Sequence, residues 1–410
     1  TKLWNLNTRN CNNIEEPIRS MINSKSYKTC DIISYLNSIL ENSKPYTRLK
    51  LMLVGYQNIG KTSLLEQLRH EGTTKRSRAA PDHWGKRIGN KSMHMKTPKG
   101  STLSTVGVDL CEWTYERKPL KGSNVRDRSL SRSRLVQANK NNNNNKNALL
   151  NNNLGPITFR TWDFGGQREY YATHQYFLSK RAIYLVVWKI TDGEKGVTGI
   201  HNWLVNIQSR APNSPVIIVG THYDLVKEFY PPFYANELQN MICDRYMSDA
   251  VDADKRGLPK VVASVEVSIK TRHNIRLLAN IIYETASEMR SPGGKDRLLE
   301  QKVPATYLAL EEIVSILAIE RKSENLEPVL HADQYRQEIA RMMKERYDLA
   351  FRDYSELQQA TRFLHENGVL LHYEDAHLKD LYFLDPQWLC DILAHVVTIR
   401  EINPFAKNGM

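Results

Sequence analysis

A short glycine-containing motif limits what this chain can fold into. Residues 55–62 read GYQNIGKT, which matches G-x-x-x-x-G-K-[ST], and they stand between the apolar run LKLMLV and the helical stretch TSLLEQLRH. A loop of this type turns backbone N–H groups toward a phosphate, and it occurs between a buried strand and the N-terminus of a helix. The motif therefore predicts an α/β fold that binds a nucleotide through its phosphates.

Strand and helix patterns alternate in the residues that follow. Five further stretches have the composition of strands: VDLCEWTYE, ITFRTWDF, AIYLVVWKI, PVIIVGT and VVASVEVS. Helical stretches lie near 197–209 and 233–250, and HNIRLLANIIYETASEMR ends the series. This alternation predicts one α/β domain over 46–290, with a mostly parallel sheet covered by helices on both faces. SPGGKD then begins a linker, which we place at 291–302.

The pattern changes after the linker. YLALEEIVSILAIE, ADQYRQEIARMMKERY and ELQQATRFLHENG have helical spacing, and VLLHYEDAHLKDLYFLD contains two short strands around a polar turn before the helical WLCDILAHVV. Helices followed by a hairpin indicate an α+β, winged-helix-like segment over 303–410. Residues 355–410 carry four basic and eight acidic side chains, which favours contact with protein over DNA.

The net positive charge of the chain comes from one region. The whole chain has a net charge of +12, and residues 72–156 hold 17 Lys and Arg against 5 Asp and Glu, which accounts for all of it. Such polar composition, including an asparagine tract, cannot bury enough apolar surface to fold. We predict disordered insertions in surface loops at about 72–101 and 118–155. A nucleic-acid patch is the alternative, but no aromatic residues interleave with the Arg residues at 126–134.

The N-terminal residues differ from the rest. LWNLNTRNC fits a leucine-rich repeat pattern except at Thr8, so residues 1–45 are expected to be the end of such an array, with a connecting helix at 27–42. The first residue is not methionine, and we expect a piece of a longer protein. No apolar run is long enough to span a membrane, and five scattered cysteines indicate a reduced, cytoplasmic compartment. Peripheral membrane contact stays open as an alternative.

The parts of GYQNIGKT have separate chemical roles in a phosphate site. Lys61 would bridge the terminal phosphates, and Thr62 would offer its hydroxyl to Mg²⁺. A fortuitous glycine-rich turn is the alternative, but the flanking strand and helix are the context that the motif requires. We expect the nucleotide to contact the loop and the residue after it, that is Gly55, Tyr56, Gln57, Asn58, Ile59, Gly60, Lys61, Thr62 and Ser63.

The stretch WDFGGQ at 162–167 has two interpretations. Asp163-Phe164-Gly165 is the magnesium motif of protein kinases, and the same letters fit D-x-x-G-Q, the switch that senses a γ-phosphate in GTPases. Kinase chemistry also needs an HRD loop and an APE motif, and neither string occurs in the chain. The P-loop upstream therefore favours the GTPase switch.

In the switch interpretation, Asp163 orients Mg²⁺ through water and the Gly166 N–H bonds the γ-phosphate. Gln167 falls where a side chain can position the attacking water, although it could be a surface residue without a role in catalysis. A threonine should also reach the metal from the loop before the second strand, and STLSTVGVD offers Thr102 and Thr105. We favour Thr105, which precedes a glycine and the strand VDLCEW.

PVIIVGTHYDLVKE at 215–228 places polar residues at the carboxyl end of a buried strand, where ligands bind in open α/β sheets. The carboxylate of Asp224 can accept hydrogen bonds from two adjacent donors of guanine, N1–H and the 2-amino group. The alternative is that Asp224 caps the next helix, but LVKEFYPP is a poor helix start. We therefore expect Asp224 to recognise the base.

In this order, the P-loop, switch threonine, DFGGQ and THYD resemble a Ras-like GTPase domain. WDFGGQREYYATHQYFLSKRAIYLVVW is similar to the Roc domain of the Roco family, and FLHENGVLLHY with LYFLDPQWLCDILAHVVT is similar to the start of the COR domain that follows it. The resemblance covers about 46–410 outside the insertions, and it is strongest to the animal leucine-rich repeat kinases of the family. It implies a Ras-like P-loop GTPase fold followed by a COR segment.

The resemblance also places the base-binding residues. Thr221 and His222 stand where the usual N-K-x-D motif has Asn and Lys, and the carboxylate remains at Asp224. Ser268, Ile269 and Lys270 stand where S-A-K is usual. These departures leave phosphate binding intact and remove two of the usual contacts with guanine.

What the resemblance implies about function is a switch that binds GTP or GDP with Mg²⁺ and hydrolyses GTP slowly, with Gln167 and Lys61 as its catalytic residues. It also implies a homodimer through the COR region and a parent chain with leucine-rich repeats and a serine/threonine kinase domain. No arginine finger can be assigned, and Arg168 is a candidate only. The alternatives are a nucleotide-dependent dimerisation module with negligible turnover and a P-loop ATPase.

Overall fold

The structure is a computed structural model. It describes seven positions between 18 and 36, and then residues 43–71, 105, 107–117, 155–167, 170–247, 257–290 and 297–397. The chain divides into two compact units. The larger unit comprises 49–285 with 391–410, and the smaller comprises 1–48 with 286–390.

The larger unit is built on a six-stranded sheet with the strand order β3-β4-β2-β5-β6-β7. β2 pairs with β5, β5 with β6 and β6 with β7 in parallel, while β3 and β4 are antiparallel. The mostly parallel sheet that the sequence predicts is therefore confirmed. The strands are β2 (Arg48–Val54), β3 (Val108–Tyr115), β4 (Ile157–Phe164), β5 (Ala182–Lys189), β6 (Val216–Thr221) and β7 (Val261–Glu266).

The two central strands β5 and β6 are apolar on both faces because helices cover both sides of the sheet. Every residue of β6 is buried, and only Lys189 of β5 is partly exposed. A strand covered on both faces reads as a continuous apolar run, as AIYLVVW and VIIV do. The helices of this unit are α1 (Lys61–His70), α2 (Tyr171–His174), α3 (Gly193–Arg210), α4 (Tyr223–Phe229), α5 (Tyr234–Tyr246) and α6 (Ile275–Glu288), whose last residues pass into the smaller unit.

The strands β3 and β4, which flank the asparagine tract in the sequence, form an antiparallel pair. Their register runs from Val108 opposite Phe164 to Tyr115 opposite Ile157. The chain therefore leaves β3 and re-enters β4 at neighbouring positions. The predicted insertions lie outside the described residues except for Gly155, at the end of the second one.

The smaller unit consists of helices packed on short strands. Its three-stranded sheet has the order β10-β11-β9, and a separate ribbon pairs β1 with β8. The predicted hairpin is β10 with β11, whereas β9 and the β1–β8 ribbon are not foreseen in the sequence. The elements are β1 (Ser43–Pro45), β8 (Lys302–Pro304), α7 (Ala305–Ser323), β9 (Val329–His331), α8 (Ala332–Tyr347), α9 (Tyr354–Glu366), β10 (Leu371–His372), β11 (Leu381–Phe383) and α10 (Pro386–Val397), whose second half belongs to the larger unit.

Parts of two segments that the sequence separates from this unit belong to its core. Ile32 and Tyr35, which are helical, pack with α7 residues such as Leu310 in one apolar cluster. Leu298 and Leu299, within the predicted linker, are also buried. The segment that resembles a leucine-rich repeat, LWNLNTRNC, lies outside the described residues. In the part of the chain that the structure describes, no helix combines the length and apolarity needed to cross a bilayer.

Candidate functional site

Lys61 is the first residue of α1, and its ammonium group bonds the loop that precedes it. Its Nζ donates hydrogen bonds to the carbonyl oxygens of Gly55 (3.0 Å) and Tyr56 (2.7 Å). Burial lowers the pKa of Lys61 to about 8, and the nearby Asp163 carboxylate opposes that shift. At pH 7 the side chain is therefore still a cation, fixed at the N-terminus of a helix where anions are stabilised.

The other residues of the loop differ in what they offer to a ligand. Gln57 and Asn58 are exposed, and so is Ser63 in the first turn of α1. The side chain of Ile59 is buried in the core of the unit. A nucleotide on this loop would therefore meet Ile59 through its backbone only.

Three oxygen-bearing side chains converge beside the loop. The Thr62 hydroxyl lies 2.7 Å from the Thr105 hydroxyl and donates a hydrogen bond to Oδ2 of Asp163. The Thr105 hydroxyl donates a longer, 3.4 Å hydrogen bond to the same carboxylate oxygen. Of the two threonines considered for this role, Thr105 is the one that the structure brings here, and Thr102 lies outside the described residues.

The electrostatics of Asp163 suit a cation. The side chain is completely buried, and its Oδ1 has no hydrogen-bond partner among the residues that the structure describes. Burial raises the pKa of Asp163 to about 6, although Lys61 and the Thr62 hydroxyl act to lower it. Two hydroxyls and a carboxylate are hard oxygen ligands of the type that Mg²⁺ takes, and an unsatisfied buried carboxylate oxygen fits a divalent ion.

The residues after Asp163 pack directly on the phosphate loop. A Cβ at Gly166 would lie 2.4 Å from the backbone nitrogen of Gln57, so only glycine allows this approach. Gly165 donates a hydrogen bond to the carbonyl oxygen of Gly107 at 2.7 Å. Gln167 is half-buried, and its carbonyl oxygen accepts a hydrogen bond from the Tyr170 N–H at 3.3 Å. Arg168 lies outside the described residues.

Asp224 lies in the first turn of α4, where it is held by a residue from the loop after β7. The Ser268 hydroxyl donates a 2.7 Å hydrogen bond to Oδ1 of Asp224, and it accepts one from the Thr271 N–H at 3.1 Å. The stretch LVKEFYPP, which we judge a poor helix start, nevertheless contributes to a helix, since Tyr223–Phe229 is helical. However, the N-cap of that helix is His222, and no side chain caps it.

Thr221 connects the end of β6 to the phosphate loop. Its side chain is fully buried, and its hydroxyl lies 2.8 Å from the carbonyl oxygen of Ile59 and 3.1 Å from that of Trp188. The same hydroxyl lies 2.9 Å from Nδ1 of His222. Burial, with a smaller contribution from Lys189, lowers the pKa of His222, so its imidazole is neutral near pH 7.

His222 and Ile269 both lie close to the phosphate loop's second glycine. A Cβ placed on Gly60 would be 3.0 Å from Cδ1 of Ile269 and 3.9 Å from Cε1 of His222. The next residue, Lys270, is exposed. The loops after β2, β6 and β7 therefore meet at one place, with Asp224 in the same group of loops.

All of these groups lie at one edge of the sheet, beyond the ends of β2, β4, β6 and β7. The oxygens of Thr62, Thr105 and Asp163 are grouped beside Lys61, whereas Asp224 and Ser268 form a second group beside His222. In open α/β sheets, ligands bind outside the carboxyl ends of the strands. The arrangement can accept a ligand with a phosphate chain, an associated divalent cation and a base that offers hydrogen-bond donors.

Trp203 borders this edge of the sheet, but the sequence does not identify it as a site residue. Trp203 of α3 packs on the rings of Tyr56, in the phosphate loop, and Tyr171, which follows WDFGGQ in the chain. An apolar residue at helical spacing is expected to be part of the core. Nothing in the pattern of α3 shows which residues this indole contacts.

Family comparisons match two parts of the chain. The family described as "Ras of Complex, Roc, domain of DAPkinase" matches residues 126–224, and "C-terminal of Roc, COR-A domain" matches residues 304–409. The chain belongs to the Roc–COR family. The Roc match begins inside the predicted insertion, whereas the sheet also includes β2 and β3, which lie before the match, and β7, which lies after it.

Relatives match most of the chain, but the chain spans only 10 to 15% of the length of those named here. Leucine-rich repeat serine/threonine-protein kinase 1 of Caenorhabditis elegans is 37% identical over 98% of this chain and 15% of its own length. The kinase of the same name in Mus musculus is 30% identical over 62% of this chain and 13% of its own. Probable serine/threonine-protein kinase pats1 of Dictyostelium discoideum is 26% identical over 92% of this chain and 10% of its own.

A solved structure also shares the fold. Methanosarcina barkeri Roco2 RocCORdC, bound to GDP, matches with a TM-score of 0.52 over 87% of this Roc–COR chain and 78% of its own. The two sequences are 21% identical. Because the identity is this low, the match shows a shared fold and no more.

Proposed function

We propose that this Roc–COR chain binds GTP and GDP with Mg²⁺ and hydrolyses GTP slowly, as a nucleotide-controlled switch within a larger leucine-rich repeat kinase. The observation that carries the proposal is the convergence of three sets of groups at one sheet edge: a fixed lysine on a P-loop, an oxygen cluster with an unsatisfied carboxylate, and Asp224 held by Ser268. The GDP bound to the Roco2 neighbour supports the choice of nucleotide.

The phosphates would be bound by the P-loop, and Mg²⁺ by the oxygen-bearing side chains beside it. Lys61 neutralises charge on the terminal phosphates, and the backbone N–H groups of 57–62 face the same oxygens. Thr62, Thr105 and Asp163 would hold Mg²⁺, Asp163 through water. When bound, this ion neutralises charge that develops on the phosphate oxygens.

Hydrolysis requires a water aligned with the bond between the β–γ bridging oxygen and the γ-phosphorus. The water oxygen attacks the γ-phosphorus, the bridging bond breaks, and GDP leaves with the electron pair, while inorganic phosphate carries the added oxygen and the two protons of the water. Gln167, which follows Gly166 in the chain, would orient that water. Because no cationic finger is assigned to the site, the expected turnover is slow.

At the base end, discrimination rests mainly on Asp224. Its carboxylate accepts from N1–H and the 2-amino group of guanine, and adenine has no such pair of donors on that edge. Thr221 connects the P-loop to β6, because its hydroxyl lies within hydrogen-bond distance of the carbonyl oxygens of Ile59 and Trp188. The neutral His222 and Ile269 would flank the nucleotide near Gly60, while Ser268 orients Asp224 and Lys270 borders the pocket.

The proposal also assigns the units of the chain. Residues 46–290 form the GTPase domain, 303–410 the N-terminal part of the COR domain, and 1–45 the end of a leucine-rich repeat array with its connecting segment. Dimerisation through 303–410 is part of the proposal, and a module that dimerises with negligible turnover is its alternative. Analytical ultracentrifugation with GDP or a non-hydrolysable GTP analogue, alongside single-turnover hydrolysis, separates the two.

Replacing the P-loop lysine tests the nucleotide site directly. Lys61→Ala removes the cation of the phosphate cradle, so binding of fluorescent GTP with Mg²⁺ should fall below detection at micromolar protein. Lys322→Ala, at an exposed position on α7 of the smaller unit, is the matched control and should bind as the wild type does. Micromolar affinity retained by Lys61→Ala would refute the assignment of the loop.

A further inference from the structure

An aromatic side chain on α3 joins two parts of the site that are far apart in sequence. The ring of Trp203 lies edge-on to Tyr56 of the P-loop, with centroids 6.1 Å apart and planes at 69°. It lies edge-on to Tyr171 of α2 as well, at 4.9 Å and 68°. Aromatic pairs favour this geometry, in which the edge of one ring faces the π-surface of the other.

Tyr171 and Tyr56, the two residues whose rings Trp203 contacts, each form a hydrogen bond with a residue of the phosphate site. The Tyr171 hydroxyl donates a 3.2 Å hydrogen bond to the carbonyl oxygen of Gly166. The carbonyl oxygen of Tyr56 accepts a 2.7 Å hydrogen bond from Lys61. Gly166 itself packs on the peptide between Tyr56 and Gln57. The contacts therefore connect Trp203 to both Lys61 and Gly166, the two groups that are proposed to contact a γ-phosphate.

The neighbourhood of Trp203 is shaped for this contact. Gly199 lies one turn earlier on the same face of α3, and a Cβ there would be 2.6 Å from Cε2 of Tyr56. The glycine leaves the space that the tyrosine ring occupies. Trp203 is only 7% exposed, and its indole N–H has no hydrogen-bond partner within the described ranges. Its role there is consequently that of ring packing.

We propose that Trp203 is a positioning residue that couples the P-loop to the switch glycine and so favours triphosphate over diphosphate. The inference rests on the proposed function. GDP needs only the P-loop and the base-binding groups, whereas a γ-phosphate must contact Lys61 and the Gly166 N–H together. An element that fixes the spacing of these two groups contributes to binding only when the third phosphate is present.

The test compares two affinities in one variant. Trp203→Leu keeps an apolar side chain but removes both edge-on contacts. In Mg²⁺ buffer, its Kd for GDP should stay within about twofold of wild type, while its Kd for a non-hydrolysable GTP analogue should rise about tenfold. Trp203→Phe, which keeps an aromatic ring, should recover part of the loss.

Trp113→Leu is the matched control for loss of a buried indole. Trp113 is 2% exposed on β3 and stacks on Phe159 at 5.1 Å, so its replacement should leave the ratio of the two affinities unchanged. If Trp203→Leu does not fold, two milder variants apply the same measurement. Tyr171→Phe removes only the hydroxyl that bonds Gly166, and Gly199→Ala displaces the Tyr56 ring from α3. Both should weaken the analogue more than GDP.

The outcomes separate the inference from the function on which it rests. If wild-type protein binds GDP and the analogue but the ratio is the same in every variant, Trp203 is structural and the inference is overturned. An equal loss of both nucleotides in Trp203→Leu, shared by Trp113→Leu, overturns it as well. If wild-type protein binds neither nucleotide, the proposed function fails, and the inference fails with it.

Discussion

Ser268 donates a 2.7 Å hydrogen bond to Oδ1 of Asp224. Ser268 lies in the loop after β7 and Asp224 in the first turn of α4, which follows β6, and this bond sets the orientation of the carboxylate. A carboxylate accepts at both oxygens, so one bond from Ser268 leaves capacity for two donors of a base. The helix that contains Asp224 has no side-chain cap, which argues against the alternative that this residue serves only as a helix cap.

Changing Asp224 to Asn should switch base preference. The substitution replaces one acceptor with a donor, so GTP should bind weakly, while xanthosine triphosphate, whose 2-carbonyl accepts that donor, should bind better. Competition of each triphosphate against fluorescent GDP measures the change. Asp244→Asn, at an exposed position on α5, controls for loss of a carboxylate. If the Asp224 variant keeps the wild-type order of preference, this carboxylate does not recognise the base.

Gln167→Leu should separate binding from turnover. In the proposed mechanism the side chain orients water and does not hold the ground state, so affinity for a non-hydrolysable GTP analogue should stay within about twofold while single-turnover hydrolysis slows. Gln208→Leu, on α3, is a suitable control for loss of an amide. Unchanged hydrolysis in Gln167→Leu would favour the dimerisation module.

Deleting residues 122–153 and closing the gap with a short Gly-Ser turn should leave folding and GTP affinity unchanged. The flanking strands are adjacent, since Tyr115 pairs with Ile157, so the shortened connection remains a hairpin. Thermal unfolding and nucleotide titration are the measurements. A loss of soluble protein, or of GTP binding, would show that the asparagine-rich segment has a structural role.

His174 should make the larger unit sensitive to acid. Burial among aromatic rings lowers the pKa of His174 to about 3, against 6.5 for an exposed imidazole. The unfolded chain therefore takes up a proton at His174 as pH falls below about 6.5, and the folded chain does not. The contribution of the neutral imidazole to the unfolding free energy is therefore complete above that pH and decreases below it. Between pH 7 and pH 5 this group should cost about 2 kcal/mol of unfolding free energy.

His174→Phe removes the titrating group and keeps an aromatic ring beside Phe164, with which the imidazole makes an edge-on contact at 4.7 Å. Urea denaturation at the two pH values measures the difference. The variant should lose about 2 kcal/mol less than wild type over this interval. Equal losses in the two proteins would show that His174 is protonated, or solvated, in the folded state.

The long elements of the fold are readable from the sequence, and the short ones are not. ADQYRQEIARMMKERY marks a helix whose ends are those of α8, and PVIIVGT locates β6 because a strand buried on both faces is continuously apolar. By contrast, β9 has three residues and the β1–β8 ribbon pairs segments about 260 residues apart, so neither has a local period to detect. Their pairing depends on tertiary packing.

The candidate site, like the fold, has parts that the sequence predicts and parts that only the structure shows. The P-loop, WDFGGQ and THYD are contiguous motifs, and their spacing predicts the chemistry of each without knowledge of the fold. The choice of Thr105 needs the structure, which brings its hydroxyl within 2.7 Å of Thr62. The contacts of Ser268 with Asp224, and of Trp203 with Tyr56 and Tyr171, arise between segments that no local pattern connects.

The most direct test of the account is a calorimetric titration of the chain with GTP and with ATP in Mg²⁺ buffer. Two hydrogen bonds from guanine to the Asp224 carboxylate, which adenine cannot make, predict that GTP binds at least about 100-fold more tightly than ATP. The heat should disappear for both nucleotides in Lys61→Ala. Equal affinities for GTP and ATP, or binding that survives Lys61→Ala, would contradict the assignment of a guanine nucleotide site to this edge of the sheet.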